Sequence, residues 1–191
     1  LSDLLNVLRS AKDLPKYIQG LDANAKKTGQ DSPILRKALG RVFQDRKEWK
    51  SAITQYKLAV ELQPTDRDLY QALISCFDQL EDKASATEQL LSQIDFDKHN
   101  LQLYVDLAKR MQADELQAER AATSIVESAP NEAESHQALA MFRTEQEKYQ
   151  QAIPHWQRVA ELRKLEPTGL LGLAETQATM KDWEGLKNSI K

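Results

Sequence analysis

Cysteine, glycine, proline and aromatic side chains are all scarce in these 191 residues, and each shortage excludes something. The lone Cys76 cannot close an internal disulfide, so a disulfide framework is ruled out and a reducing compartment, the cytoplasm, is favoured. Six glycines and six prolines leave little turn material for a many-stranded sheet. Glycines at 20, 29, 40, 169, 172 and 185 spell neither a phosphate loop nor a dinucleotide fingerprint. The nearest approach, Gly169-Leu-Leu-Gly172, lacks a preceding strand and reads as a loosened helix start. An excess of positive charge is missing as well. Lys plus Arg is 26 against 29 for Asp plus Glu, a net charge of −3. That argues against a nucleic-acid coat or a polybasic membrane anchor, both of which need clustered cations. The longest uncharged stretch, near 69–77, is far short of the ~20 apolar residues that span a bilayer.

Catalytic chemistry is equally thin. His99, His136 and His155 offer no i, i+4 pair for a metal, and His136 falls where a packing residue is expected. Cys76 has no histidine near it in sequence and reads as a packing residue beside Phe77. The acidic pairs Glu81-Asp82, Asp114-Glu115 and Asp95/Asp97 fall at predicted turns, which are solvated rather than pocket-like. Trp49, Trp156 and Trp183 read as core. No catalytic, cofactor or metal site is expected, and the chain reads as a non-enzyme.

What the chain does have is a period. Leu39, Leu73, Leu107, Leu139 and Leu173 are separated by 34, 34, 32 and 34 residues. Ala52, Ala86, Ala118, Ala152 and Leu186 are separated by 34, 32, 34 and 34. The two series shorten at different steps, so the deletion lies between Leu107 and Ala118, in a turn around Gln112–Glu115. Within the period the apolar residues Leu39, Gly40 and Phe43, then Trp49, Ala52, Ile53, Tyr56, Ala59 and Val60, keep helical spacing. Two helices fit, broken near Gln44–Lys47 and at Gln63-Pro64-Thr65-Asp66. Thr65 with Asp68, and Asn131 with Glu134, are the expected helix starts.

Leu39-Gly40, Phe43, Ala52, Tyr56, Ala59 and Pro64 resemble the signature of the tetratricopeptide repeat at its 34-residue period. The second repeat keeps Tyr70, Leu73, Phe77, Ala86 and Leu90, with Ile74 at the small position and Lys98 in place of the proline. The third keeps Tyr104, Leu107, Ala108, Met111, Ala118 and Pro130, and the fourth Leu139, Ala140, Tyr149, Ala152 and Trp156. A fifth unit shows Leu170, Leu173, Ala174, Trp183 and Leu186. The resemblance implies an all-α solenoid, an alpha-alpha superhelix of about 4.5 antiparallel helix pairs over residues 33–66, 67–100, 101–132, 133–166 and 167–191. Residues 1–31 are expected to add a degenerate hairpin, one helix with Leu4, Leu5 and Leu8 and another with Pro15 in its first turn carrying Tyr17, Ile18 and Leu21, with its connection. The chain opens on Leu1-Ser2-Asp3, without an initiator Met or a signal-peptide order, and reads as an excised piece of something longer.

In such an array the first helices are implied to line a concave groove. Counting through the repeat turns inward Ile34, Lys37, Arg41 and Gln44; Asp68, Gln71, Ser75 and Asp78; Gln102, Val105, Lys109 and Gln112; Glu134, Gln137, Met141 and Glu145; and Thr168, Leu171 and Glu175. Of these, Lys37, Arg41, Gln44, Gln71, Ser75, Gln102, Lys109, Gln137, Met141 and Leu171 are the candidate partner-binding residues. Gln side chains both donate and accept, which suits the backbone of an extended peptide. The carboxylate clamp that some of these repeats use for chaperone tails is not matched: Arg41, Ala72, Gln102 and Asp106 stand where its Asn and basic residues belong. The expected function is a non-catalytic protein–protein interaction module for a protein or extended peptide, with no nucleic acid and no membrane span. The alternative is a structural spacer or self-association module that pairs through solenoid ends, the end after Ile190 lacking a polar cap.

Overall fold

The computed structural model describes residue 6 and residues 14–189. Over these residues the chain is all α: eleven helices and no strand. The expected helix with Leu4, Leu5 and Leu8, and the uncapped end at Ile190, lie outside the described residues. The chain divides into two compact units, Leu1–Phe96 and Asp97–Lys191.

The first unit contains α1 (Leu14–Thr28), α2 (Pro33–Asp45), α3 (Trp49–Leu62), α4 (Arg67–Gln79) and α5 (Lys83–Phe96). The second contains α6 (Leu101–Arg110), α7 (Glu115–Glu127), α8 (Ala133–Glu145), α9 (Tyr149–Leu162), α10 (Thr168–Thr179) and α11 (Trp183–Ser189). Each unit is built from hairpins that pack on their chain neighbours, α2 on α3 and α3 on α4 in the first, α8 on α9 and α9 on α10 in the second. This is a helical-repeat solenoid, in which a hairpin cannot cover both apolar faces alone and must stack on the next.

The periodic residues form the core. Leu39, Leu73, Leu107, Leu139 and Leu173 are buried, as are Ala52, Ala86, Ala118 and Ala152. Alanine and glycine recur because the backbones come close. A Cβ on Gly40 would stand 2.5 Å from the Tyr56 ring, which is itself buried. One repeat later Ile74 and Leu90 occupy the corresponding positions, trading a small–large pair for two medium side chains of similar joint volume.

Turn chemistry also repeats. Lys47, Glu81, Glu147 and Lys181 all adopt φ near +59°, the left-handed conformation that closes a helix. The next amide in each case reaches back five residues, Glu48 to Phe43 O, Asp82 to Phe77 O, Lys148 to Arg143 O and Asp182 to Gln177 O. The third hairpin departs. There α6 is 10 residues long where α2, α4 and α8 have 13, and the turn before α7 carries no left-handed residue. The two missing residues of the 32-residue interval therefore fall where that shared turn would be.

Two helix starts differ from expectation. Asp66 rather than Thr65 caps α4, accepting from the Asp68 amide at 3.0 Å. Glu132 rather than Asn131 occupies the cap position of α8, without a side-chain bond. An Asp carboxylate one residue closer to the helix reaches its amides better than the Thr65 hydroxyl does. Trp183 is also not core: it is 63% exposed at the start of α11, whereas Trp156 is buried between α9 and α10.

Candidate interaction surface

In the first unit, Pro33, Ile34, Lys37, Arg41, Gln63, Asp66 and Asp68 line an open cleft of about 440 Å³. Lys37 is anchored within it. Its ammonium donates to both carboxylate oxygens of Asp66, at 3.0 and 2.8 Å, and to Asp68 at 3.0 Å. Burial by itself would lower the Lys37 pKa, but the hydrogen bonds it donates to Asp66 and Asp68 outweigh it and the amine is held above its ordinary value. In return the Lys37 hydrogen bond holds the Asp68 carboxyl below the usual range. Because Asp66 also caps α4, Lys37 ties α2 to the start of α4, and the cleft's outward positive charge is the exposed Arg41.

Other candidates in this unit are partly committed too. Gln44 accepts from the Tyr56 hydroxyl at 2.7 Å, and Gln71 donates to the buried Gln93 at 3.1 Å. Ser75 is exposed on α4.

In the second unit, Gln102 donates to Asp106 at 2.8 Å and Lys109 pairs with Glu145 at 3.0 Å, joining α6 to α8. Val105, counted as inward, is buried, and Gln137 is half-buried on α8. Met141 on α8 and Leu171 on α10 are 47% and 56% exposed, large apolar groups left in solvent.

Sequence reasoning missed two features. The first is the close contact of α10 with α9. A Cβ on Gly169 would stand 2.6 Å from Ala160 Cα, and one on Gly172 would stand 2.5 Å from the Trp156 ring. These glycines are packing surfaces, not a loosened helix start. The second is a part-buried polar chain. His136 Nδ1 lies 3.0 Å from His155 Nδ1, His155 Nε2 lies 3.1 Å from Arg143, and Arg143 donates to Glu119 at 2.6 Å. Burial first, then Arg143 and His136, lower the His155 pKa to about 4, with Glu119 opposing them. Nineteen residues separate the two histidines, so the signal lay in the repeat register: 136 and 155 are where the first repeat has Arg36 and Gln55, themselves bonded at 3.0 Å.

Among the described residues no group of three or more His, Cys, Asp or Glu could hold a metal, and no helix is long and apolar enough to cross a membrane. Cys76 is fully buried, and burial pushes its thiol up to about 11.

No protein-family model and no curated protein matches the chain. Solved structures do. The structure of Naa15/Naa10 bound to HypK-THB is 17% identical over 83% of this chain and 25% of that one, with a TM-score of 0.53. MamA is 13% identical over 83% of this chain and 86% of its own, at 0.49. YrrB, described as a TPR protein with an unusual peptide-binding site, is 16% identical over 88% of both chains, at 0.47. At such identities the likeness is one of fold. The chain has an all-α helical-repeat fold, and the residues of its period resemble the tetratricopeptide repeat.

Proposed function

We propose that the chain is a non-catalytic interaction module whose first-helix faces receive a protein or an extended peptide. The observation that carries this reading is that the first helices expose both large apolar groups, Ile34, Met141 and Leu171 at 62%, 47% and 56%, and polar ones, Arg41, Ser75 and Gln102. Large apolar side chains left in water among donors and acceptors suit a peptide that buries side chains while its backbone finds hydrogen bonds. Arg41 favours an acidic residue in whatever lies over α2, and Met141 can adapt to apolar side chains of different shape.

A selection of random displayed peptides against the chain tests this. Enriched peptides should bind in the micromolar range, and Arg41→Glu or Met141→Ala should weaken them at least fivefold with unfolding unchanged. Peptides that bind both variants as well as the parent chain would count against the reading.

A second reading, self-association, has Trp183 and Leu165 in its favour, which are 63% and 100% exposed. Light scattering over a concentration series separates the two: mass that rises with concentration supports self-association, and constant mass dismisses it.

A further inference from the structure

Two positions of the fourth repeat, 136 and 143, carry polar side chains where the second and third repeats are aromatic or apolar, and a third, 155, carries a titratable ring where the first two repeats have an amide; position 136 is Arg36 in the first repeat. His136 replaces Tyr70 and Tyr104, Arg143 replaces Phe43, Phe77 and Met111, and His155 replaces Gln55 and Gln89. His136 is buried, and Arg143 and His155 are partly buried. Burying polar groups rarely adds stability, and here Arg143 Nε is left without a partner, so the ordered bonds that the other polar atoms make ask for another explanation.

The bonds have a direction that can be deduced. Tyr70 donates its hydroxyl to the carbonyl six residues upstream, Pro64 O, and Tyr104 does the same to Lys98 O. His136 Nε2 makes the equivalent contact with Pro130 O at 3.1 Å, so it must carry the proton, because a carbonyl can only accept. At the far end Arg143 can only donate, so His155 Nε2 must be bare. His155 then holds its proton on Nδ1 and gives it to the bare Nδ1 of His136, 3.0 Å away. Every link runs one way, from the Arg143 guanidinium through His155 and His136 to Pro130, and both rings are neutral. Arg143 also donates to Glu119 on α7 and to Gln151 O on α9.

We propose that this one-way chain is a proton-operated latch: with both imidazoles neutral it locks α7, α8 and α9 together, and a proton arriving on His155 breaks the lock. A protonated His155 Nε2 can no longer accept from Arg143, and its charge would sit between that guanidinium and His136. The charged groups that face the pair are Arg143 from α8 and Glu119 from α7, with Lys148 3.8 Å from Glu119 and 3.9 Å from Glu115. Lys109 of α6 is turned to Glu145, Arg158 and Glu161 pair along α9, Arg163 pairs with Glu134, and Glu175 of α10 is exposed. Of these described groups Glu119 is the one that raises the proton affinity of His155, and it is already engaged by Arg143.

The direction with pH follows from the lowered proton affinity of His155, about 4 against 6.5 for the free ring. Between those values the opened form holds a proton that the latched form refuses. Opening is therefore favoured as pH falls, by up to about tenfold per pH unit for that one proton.

Two measurements test the latch. Long-range proton–nitrogen spectra of the imidazoles at pH 7.5 should show the proton on Nδ1 of His155 and Nε2 of His136; the opposite tautomer on either ring overturns the proposal. Urea unfolding from pH 7.5 to 4 should show stability falling below about 6.5. A variant that installs what the second repeat carries, H136Y/R143F/H155Q, should lose one proton's worth of that slope. An equal slope in the variant and the parent chain would also overturn it.

Discussion

Replacing Gly169 by Ala adds one methyl group and tests the stacking of α10 on α9 directly. The new Cβ would stand 2.6 Å from Ala160 Cα, about 1 Å inside the ordinary carbon–carbon distance of ~3.5–4.0 Å. The atom it meets belongs to helix backbone, so no side-chain rotation relieves the overlap and α10 must withdraw as a body. A gap of ~0.5–1 Å forfeits a quarter to a half of each dispersion contact it opens. Those contacts are the ones Leu173 makes with Trp156 and Val159 in the core of the second unit. Overpacking of this kind costs roughly 1–3 kcal/mol, and the better helix propensity of Ala returns less than about 1 kcal/mol. The expected net loss is about 2 kcal/mol. With a urea slope of about 1–3 kcal/mol per molar, the midpoint falls by roughly 1 M, followed by the fluorescence of the buried Trp156. Gly20→Ala is the control, because nothing lies within 4 Å of its Cβ in α1, and it should stabilise by about 0.5–1 kcal/mol. If Gly169→Ala matched Gly20→Ala in sign, the close approach of α10 to α9 would be wrong.

Other expectations follow from single contacts. Arg36 is 2% exposed and holds Asp22 at 2.6 Å, Asp31 at 2.7 Å and Gln55 at 3.0 Å, so Arg36→Ala should cost about 3 kcal/mol in thermal unfolding and Asp22→Asn much less, Asp22 being 46% exposed. Lys37→Glu turns a cation facing Asp66 and Asp68 into a third carboxylate and should lower the melting temperature measurably, while Arg41→Glu leaves it within a degree or two. In Lys37→Met, the Asp68 carboxyl should titrate at a higher pH by NMR, since the hydrogen bond that holds it down is gone. Cys76, with its thiol near 11 against 9.0 unperturbed, should carry about a hundredfold less thiolate at pH 8 and alkylate at least that much more slowly than in the urea-unfolded chain.

The fold was largely legible because its cause is periodic. Residues such as Leu39 and Ala52 recur at one spacing for one packing reason, and counting recovers them without knowledge of any contact. The position of the shortened turn followed from the same arithmetic, and the loss of its left-handed residue is the structural trace. What stayed hidden depended on neighbours distant in sequence. Gly169 looks like a flexible start until Ala160 is placed against it. His136 and His155 look like isolated histidines until the hairpin folds them together. The surface was legible only as a set of positions: counting named Lys37 and Lys109, but their roles as ion-pair partners of Asp66 and Glu145 depend on which acidic groups the next helix brings within reach. Trp183, 63% exposed at the start of α11, shows that a repeat position by itself does not bury an aromatic ring.

The role assigned to the first-helix faces is tested most directly by an amide chemical-shift map of the labelled chain titrated with a selected peptide. Shifts should concentrate on α2, α4, α6, α8 and α10, around Arg41, Ser75, Gln102, Met141 and Leu171. Shifts confined to α3, α5, α7 and α9 would place recognition on the opposite side of the hairpins and contradict the account.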